Sequence, residues 1–516
     1  MNQTTQGGLF MSFNPDEMFV FPIDREPYVF EQRYVDENVF LKQNATAGVL
    51  PKYDDIKHKL PKPIWEGHDD TINCYNRTWE IAFGNLRNAN EKSRFVSDYI
   101  DCAFFTFSFM WDSSFIVMFG KYAGHIFNFQ KTLDNFYSHQ HKDGYIGRQL
   151  FQKHFGQRYA KDDPASTGPN ILPWAEWEYY CITGDTNRLR KVFAPLMAYH
   201  KWLQLNRTWQ SGGYWTTGLA CGMDNQPRVD KQYSPLLSHG FMTWLDACAQ
   251  QYLSCEILIK IADIIGRSEE VKWLEEEREL LEKIINNQMW DEKTAFYYDM
   301  RRDGTLTDTK TVGAYWTMMA GLVSDDRAKR FVAHLDNENE FKRPFRIPTL
   351  SADHPEYQER GDYWRGSVWA PTNYMVLKAL DKYGYNDLAY DIACNYLENV
   401  VKVFVKDGTI YENYAPEYIE RGSHSQGEFV GWTGLAPINI MFEYVFGIRP
   451  DAQNKKIVWY VNRLEKHGVK NYPLGDKLID IICEKRNSAD ETPVVTVNGA
   501  EDITIEIVWN GKHITV

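Results

Sequence analysis

The chain has 516 residues and a formal net charge of -13 at pH 7, with 43% hydrophobic and 25% charged residues. This acidity argues against a nucleic-acid partner, whose phosphates need a basic surface, and no apolar run approaches the roughly 20 residues of a membrane helix. The eight cysteines form no Cys-x-x-Cys pair, so we expect reduced thiols, no metal site and no cofactor.

The N-terminal part, residues 1–66, is predicted to be a strand-bearing arm or lid. Prolines at 15, 22, 27, 51, 61 and 63 interrupt short alternating runs, such as those at 28–30 and 39–41. The first residues lack the basic start and apolar core of a signal peptide. We therefore expect a cytoplasmic protein.

Residues 67–447 have helical periodicity. The predicted helices are 70–88, 112–123, 125–140, 173–183, 186–206, 239–265, 268–287, 311–322, 325–335, 371–383, 385–404 and 434–446. Twelve helices in six hairpins indicate an all-α fold, an (α/α)6 toroid with one ring of helices inside the other. A solenoid of helical repeats is the alternative, although no fixed-period self-similarity is present.

Residues 448–516 change to a period of two and are predicted to form a small β-module that packs on the helical domain. Predicted strands lie at 456–461, 478–483, 493–497 and 503–509. Asn498-Gly499 and Asn510-Gly511 are typical of hairpin turns.

One loop, Gly361–Asn373, is the densest polar and aromatic stretch of the chain and reads GDYWRGSVWAPTN. Such a concentration of stacking faces and hydrogen-bond donors suits a sugar. The alternative is a buried loop whose tryptophans only pack, since aromatic side chains dominate cores generally. The aromatic content of 15%, with 17 Trp, favours carbohydrate mildly.

Three other loops carry carboxylates with tryptophans or small residues. Asp112 follows Trp111 and is either a sugar ligand or a helix N-cap. Asp224 lies in a glycine-bearing loop, where aspartate is most often a turn former. Glu412 and Glu428 lie in the fourth loop, and glutamate is mostly exposed.

Glycoside hydrolysis needs two carboxyl groups that flank the scissile bond. Asp224 and Glu412 are 412 − 224 = 188 positions apart, so spacing alone does not show that they face one another. In a toroid, loops from different hairpins converge at one end, which makes the pairing a hypothesis.

Five ordered motifs resemble the inverting glycosidases related to processing α-glucosidase I, glycoside hydrolase family 63, whose clan includes trehalases and the mannosylglycerate and glucosylglycerate hydrolases. The motifs, spread over about residues 70–447, are Trp111-Asp112-Ser113, Gly222 to Arg228, Tyr363 to Trp369 with Asn373, Glu412 to Tyr414, and Gly431 to Thr433. The resemblance implies Asp224 as general acid, Glu412 as general base and inversion at the anomeric carbon.

The same resemblance implies a substrate site made mainly of aromatic and polar side chains. The candidate substrate-binding residues are Trp111, Asp112, Trp174, Asn225, Arg228, Tyr363, Trp364, Arg365, Trp369, Glu428 and Trp432. An inverting enzyme should hold its two carboxyl groups roughly 6.5 to 9.5 Å apart, with the pKa of the acid raised.

The expected function is that of an inverting, exo-acting α-glycosidase on an α-glucoside or a short α-linked oligosaccharide. Gly168-Pro169-Asn170 replaces the family's Gln-Pro-Pro turn, and the glycine-rich loop and Pro-Asn-Gly-Trp segment of trehalases are absent, which argues against trehalose. Within the same mechanism the alternatives are an α-mannoside or a glycosylglycerate. An inactive carbohydrate-binding barrel, or a lyase or epimerase that relies on His, Tyr or Arg, represents a different class.

Overall fold

The computed structural model describes residues 32–102, 106–429 and 431–516. The strand predicted at 28–30 lies outside these residues. The one predicted at 39–41 is wrong, because Val39–Lys42 forms a 3-10 helix whose N-cap Asn38 accepts a hydrogen bond from the Phe40 amide. A strand does form later in this segment, at Lys62–Trp65.

The helices dominate the middle of the chain. The α-helices are α1 Arg33–Glu37, α2 Tyr53–Ile56, α3 Asp69–Gly84, α4 Met110–Gly120, α5 Asp134–Tyr137, α6 Leu172–Thr183, α7 Thr186–Asn206, α8 Gly218–Cys221, α9 Leu245–Ile265, α10 Lys272–Gln288, α11 Trp316–Ala320, α12 Asp325–Val332, α13 Ala370–Lys382 and α14 Asn386–Asp407. Ala436–Val445 is a π-helix, and 3-10 helices lie at Val39–Lys42, Lys57–Lys59, Lys121–Ala123, Phe129–Leu133, Ser268–Glu270, Val312–Tyr315, Ala333–Asp336 and Thr433–Leu435.

Six inner helices form a closed ring. Helix α4 contacts α6, α6 contacts α9, α9 contacts α11, α11 contacts α13, and α13 contacts the π-helix, which returns to α4. Every residue of α4 and of the π-helix is buried, as expected for helices that are apolar all round. Amphipathic helices such as α3, α10 and α14 present polar faces outward. The predicted (α/α) barrel is confirmed.

A buried ionic cluster ties four parts of the inner ring together. Lys121 lies 2.8 Å from Glu178 and 2.8 Å from Glu443, and Lys378 lies 3.0 Å from Glu178 and 2.9 Å from Glu443. The Tyr374 hydroxyl donates to Glu443 at 2.8 Å. With two cations and two anions, the cluster compensates the charge that burial would otherwise penalise.

The strands are short except at the C-terminus. They are β1 Lys62–Trp65, β2 Leu86–Arg87, β3 Tyr99–Ile100, β4 Phe107–Phe109, β5 Gln149–Phe151, β6 Trp290–Asp291, β7 Phe296–Tyr297, β8 Ile448–Asp451, β9 Lys456–Tyr460, β10 His467–Leu474, β11 Lys477–Cys483, β12 Val495–Asn498, β13 Thr504–Trp509 and β14 Lys512–Thr515.

Two four-stranded sheets account for the strands after residue 447, with one strand from the N-terminal segment. Their orders are β1-β10-β11-β12 and β14-β13-β9-β8. Asn510-Gly511 is the turn of the β13–β14 hairpin, and both residues have the positive φ that such a turn requires. The hairpin predicted at Asn498-Gly499 is wrong, because β12 and β13 lie in different sheets. The division into arm, barrel and module remains a prediction.

Helix α6 runs from the β-rich C-terminal part of the chain to the loops at the other end of the ring. At its C-terminal end, the carbonyls of Cys181 and Ile182 accept hydrogen bonds from the amides of Ala452 and Gly475 in the β-rich part. Its N-terminal end follows Gly168 and Pro169, which line a cavity described below. The sheets and the cavity therefore lie at opposite ends of this inner helix.

Within the described ranges, none of the helices combines the length and apolar character needed to span a bilayer. All eight cysteines are free thiols.

Candidate active site

A cavity of about 300 Å³ lies among the loops near the N-terminal end of helix α6, opposite the sheets. It brings together seven of the residues predicted for the site: Trp111, Asp112, Asp224, Tyr363, Trp364, Glu412 and Trp432. The remaining lining residues are Phe109, Arg148, Gln149, Arg158, Tyr159, Gly168, Pro169, Leu219, Gly222 and Phe429.

Trp111 and Asp112 occupy the first turn of α4. The N-cap of this helix is Phe109, so the interpretation of Asp112 as the N-cap is wrong. The Asp112 side chain is buried, and burial together with the charge of Glu412 raises its pKa well above the usual range. Asp112 is thus a third carboxyl group of the cavity.

The Asp224 loop depends on two glycines. A Cβ on Gly218 would lie 2.1 Å from the Asp224 carbonyl oxygen, so only glycine allows this close approach. Gly222 has φ +80° and lies under the Trp111 indole, where a Cβ would approach to 2.9 Å. Both glycines place Asp224 next to Trp111 at the cavity wall.

The Glu412 carboxylate and backbone are held by different neighbours. Its Oε2 accepts a hydrogen bond from the Gln426 amide at 3.3 Å, and its Oε1 accepts one from the Tyr363 hydroxyl at 3.3 Å. The Trp432 indole donates to the Glu412 carbonyl oxygen at 2.9 Å. These contacts fix the orientation of Glu412 in the cavity.

Burial changes the protonation of the two candidate catalytic carboxyls. It raises the pKa of Asp224 to about 6, opposed by the positive charge of Arg148. It raises the pKa of Glu412 to about 7, opposed by the hydrogen bonds from Gln426 and Tyr363 and supported by the charge of Asp224. Both groups therefore exchange protons near neutral pH, as acid and base catalysts must.

Tryptophans form a layered wall on one side of the cavity. Trp364 lines the cavity and stacks on Trp369 with ring centroids 3.9 Å apart and planes 2° apart. Trp369 is fully buried and also contacts Trp432 edge to face at 5.5 Å. It therefore supports two tryptophans of the cavity without lining it.

Six residues predicted to bind substrate lie outside the cavity lining: Trp174, Asn225, Arg228, Arg365, Trp369 and Glu428. Trp174 is buried in the helical ring, where its indole donates to Glu178 at 3.1 Å. Glu428 is exposed and pairs with Arg77 at 3.0 Å. Arg365 faces Glu356 at 3.7 Å. Direct substrate contact by these side chains does not follow from the geometry.

Arg228 is a buried structural cation. Its Nε donates to Asp299 Oδ2 at 2.8 Å, and its Nη2 donates to Asp246 Oδ1 at 3.0 Å. The guanidinium also lies 4.3 Å from the Trp244 ring centroid. Arg228 thus anchors the end of the Asp224 loop to the barrel.

The variant Arg228→Met should lower the free energy of unfolding by about 3–5 kcal/mol, because two buried carboxylates lose the cation that they share. Thermal and denaturant unfolding would measure this loss. Arg301→Met is the matched control: Arg301 pairs with the partly exposed Asp230 at 3.3 Å, and such a pair contributes about 0–1 kcal/mol. Equal losses in both variants would contradict the structural role of Arg228.

The sequence interpretation missed the cavity residues of one irregular segment, which includes Arg148, Arg158 and Tyr159. The Arg148 guanidinium carbon lies 4.5 Å from the Tyr159 ring centroid, and that of Arg158 lies 5.7 Å from it. Their signal was a pair of arginines beside aromatic residues, between predicted helices. The segment has no helical or strand periodicity, so the sequence pattern did not indicate that it belongs to the site.

One group among the described residues has ligand atoms close enough to hold a metal ion: His200, Cys255 and Glu277, all buried. His200 Nε2 already lies 3.0 Å from Glu277, and Nδ1 lies 2.7 Å from the Ser254 hydroxyl. None of the three residues lines the cavity. Their polar atoms are accounted for by hydrogen bonds, so the group is explained as a core network.

Comparison with known proteins gives relatives among sugar hydrolases. An uncharacterized protein of Borreliella burgdorferi is 25% identical over 446 residues, 83% of this chain and 90% of that protein. A probable mannosyl-oligosaccharide glucosidase of Schizosaccharomyces pombe is 26% identical over 289 residues, 49% of this chain and only 34% of that protein.

Among solved structures, the GH63 mannosylglycerate hydrolase of Thermus thermophilus in complex with glucose superposes with a TM-score of 0.58. The match has 20% identity and covers 71% of this chain and 99% of that one, so it supports the fold. The model of the mannosylglycerate hydrolase MGH1-like glycoside hydrolase domain matches residues 106–433. The chain belongs to this family and is a glycoside hydrolase of the family 63 type.

Proposed function

We propose that the protein is an inverting, exo-acting α-glycosidase that hydrolyses an α-glucoside or a short α-linked oligosaccharide. Asp224 is the general acid and Glu412 the general base. The main support is that both carboxyls line one cavity beside Trp111, Trp364 and Trp432. Indole faces suit the apolar faces of a sugar ring.

In this mechanism Asp224 gives its proton to the glycosidic oxygen as the bond to the anomeric carbon breaks. Glu412 takes a proton from a water molecule, whose oxygen attacks the opposite face of that carbon. Asp112, the third carboxyl, would accept hydrogen bonds from sugar hydroxyls. The product sugar then has the β configuration, and each catalytic carboxyl exchanges its proton with solvent before the next cycle.

The protonation of the free site bears on this assignment. The pKa is about 6 for Asp224 and about 7 for Glu412, so the site loses its protons over the pH range around neutrality. The productive form carries one proton, which lies on Asp224, and leaves Glu412 ionised. Anything that weakens the charge of Arg148 near Asp224 favours the productive form.

The pH dependence of kcat/KM should be bell-shaped, with apparent pKa values near 6 and 7 that belong to the coupled pair. Activity falls at lower pH because both carboxyls become protonated and no base remains. It falls at higher pH because both ionise and no acid remains. Initial rates at low substrate concentration across the acidic, neutral and mildly alkaline range measure the profile, and a rate that rises steadily into the alkaline range contradicts it.

A glycosylglycerate is a second candidate substrate, favoured by the two arginines of the cavity. Arg148 and Arg158 contact the Tyr159 ring, and no ion pair engages either of them within the described residues. An anionic leaving group beside Arg148 would offset its charge and raise the pKa of Asp224, which moves the proton to the proposed acid.

The variant Arg148→Met tests this candidate. It should lower kcat/KM for a glycosylglycerate by about 10- to 100-fold, the worth of a charge-assisted hydrogen bond, whereas kcat/KM for an uncharged α-glucoside should not fall, because loss of the Arg148 charge favours the proton on Asp224. Parallel assays of the two substrates measure the difference. Equal losses on both would exclude recognition of the carboxylate by Arg148.

The decisive experiment for the activity is an NMR time course of the anomeric protons with α-linked glucose and mannose disaccharides and glycosylglycerates. Initial release of the β-anomer from one of them establishes an inverting α-glycosidase and its substrate class. Initial release of the α-anomer overturns inversion. No turnover of the whole panel shifts support to the inactive carbohydrate-binding barrel.

A further inference from the structure

Tyr363 is the point where the loops of the two proposed catalytic carboxyls meet. Its backbone has φ +68°, a left-handed conformation that bulky residues rarely adopt. Its carbonyl oxygen accepts a hydrogen bond from the Trp369 indole at 3.3 Å, and its hydroxyl donates to Glu412 Oε1 at 3.3 Å. In this conformation the Tyr363 hydroxyl is directed at Glu412.

Asn225, the residue after Asp224, spans Tyr363 with both ends of its side-chain amide. Its Nδ2 donates to the Asp362 carbonyl oxygen at 2.9 Å, on one side of Tyr363. Its Oδ1 accepts from the Trp364 amide at 2.8 Å, on the other side. Because this amide is engaged on the protein backbone and lies outside the cavity lining, a direct role in sugar binding does not explain it.

We propose that Asn225 is a positioning residue that holds Tyr363 against Glu412, so that the loop of the general acid fixes the hydrogen bond accepted by the general base. The acid and the base are then not placed independently. A displacement of the Asp224 loop would also move the Tyr363 hydroxyl, which donates a hydrogen bond to Glu412. The roles of general acid and general base rest on the proposed function, whereas the hydrogen bonds made by Asn225 and by Tyr363 do not.

The hydrogen bond has a measurable electrostatic consequence. A phenol that donates to a carboxylate stabilises the charged form and lowers the pKa of that carboxyl. Burial and the charge of Asp224 act on Glu412 in the opposite direction. The titratable and charged groups that act on Glu412 or share its cavity are Cys102, Asp112, Arg148, Arg158, Tyr159, Asp224 and Tyr363.

The test is a titration of Glu412 in the free protein, which needs no substrate and so remains decisive if the proposed activity is wrong. The full chain is labelled with glutamate carrying carbon-13 at the side-chain carboxyl, and the Glu412 signal is identified by its absence in Glu412→Gln. Its midpoint in the unaltered protein is expected at about 7. Tyr363→Phe and Asn225→Ala should each raise that midpoint by about 0.5 to 1 pH unit.

Tyr357→Phe is the matched control. Tyr357 donates to Glu417 at 2.7 Å, which is also a phenol–carboxylate contact between the segments that carry Tyr363 and Glu412, but neither residue lines the cavity. This variant should leave the Glu412 midpoint unchanged. A shift as large as that of Tyr363→Phe would overturn the specific role of Tyr363.

The double variant Asn225→Ala/Tyr363→Phe separates one chain of contacts from two independent effects. If Asn225 acts through Tyr363, the double variant shifts the midpoint no further than Tyr363→Phe alone. Additive shifts, or an unchanged midpoint in Asn225→Ala, overturn the proposal. If Asn225→Ala does not fold, Asn225→Gln keeps the amide but displaces it by one methylene, and the same outcomes apply.

Discussion

Replacing Asp224 by asparagine should lower kcat by about 10²–10⁴-fold, the usual contribution of a general acid. The amide cannot protonate the glycosidic oxygen, so the loss should be largest for a sugar or glycerate leaving group. An α-glycosyl fluoride, which needs little protonation, should retain much more of its rate. Comparing kcat for the two classes of substrate measures this dependence.

Asp230→Asn is the control for that variant, because Asp230 belongs to the same segment and pairs with Arg301 at the surface. It should keep the full rate. Circular dichroism and thermal unfolding should show that Asp224→Asn remains folded. A folded Asp224→Asn protein with the full rate on natural glycosides would exclude Asp224 as the acid.

Replacing Glu412 by glutamine should also lower kcat by about 10²–10⁴-fold, but by the same factor for good and poor leaving groups. The reason is that Glu412 acts on the attacking water and not on the bond that breaks. Glutamine keeps one side-chain oxygen, which can accept a hydrogen bond from Tyr363 or from Gln426. It cannot accept a proton from the attacking water. Rates with the glycosyl fluoride and with a natural glycoside provide the comparison.

Glu420→Gln is the control for Glu412→Gln. Glu420 lies in the same segment and pairs with Arg360, and neither residue lines the cavity. A loss that appears only with poor leaving groups would assign Glu412 the acid role and require the two roles to be exchanged. Retention of the full rate by the double variant Asp224→Asn/Glu412→Gln would exclude both residues.

The sequence predicted the long helices because their apolar period and their ends are local properties. Helix α7 has the predicted bounds, Thr186–Asn206, and Asp185 caps it by accepting from two backbone amides. The helix predicted at 125–140 is instead a 3-10 helix, Phe129–Leu133, followed by the short α5. Local periodicity does not distinguish these, and the 3-10 helix packs against α4, a contact that the local pattern does not contain.

For the site, the sequence located the loops but not the direction of each side chain. Trp364 and Trp369 lie in one aromatic stretch, yet only Trp364 lines the cavity. Arg228 resembles a substrate ligand in a motif, but its charge is paired with those of Asp246 and Asp299, which are 18 and 71 positions away. Such partners are set by the folded ring, and no spacing along the chain reveals them.

The pairing of β1 with β10 sets a limit on how this chain assembles during synthesis. Trp65 at the end of β1 donates to Glu465, 400 positions away. At about 5–20 residues per second, the ribosome needs roughly 20–80 s to make the intervening chain. A shortened protein that starts after β1 would leave the β10 edge open, and an open edge invites pairing between chains. Shortened versions of the protein that keep residues 62–65 avoid this exposure.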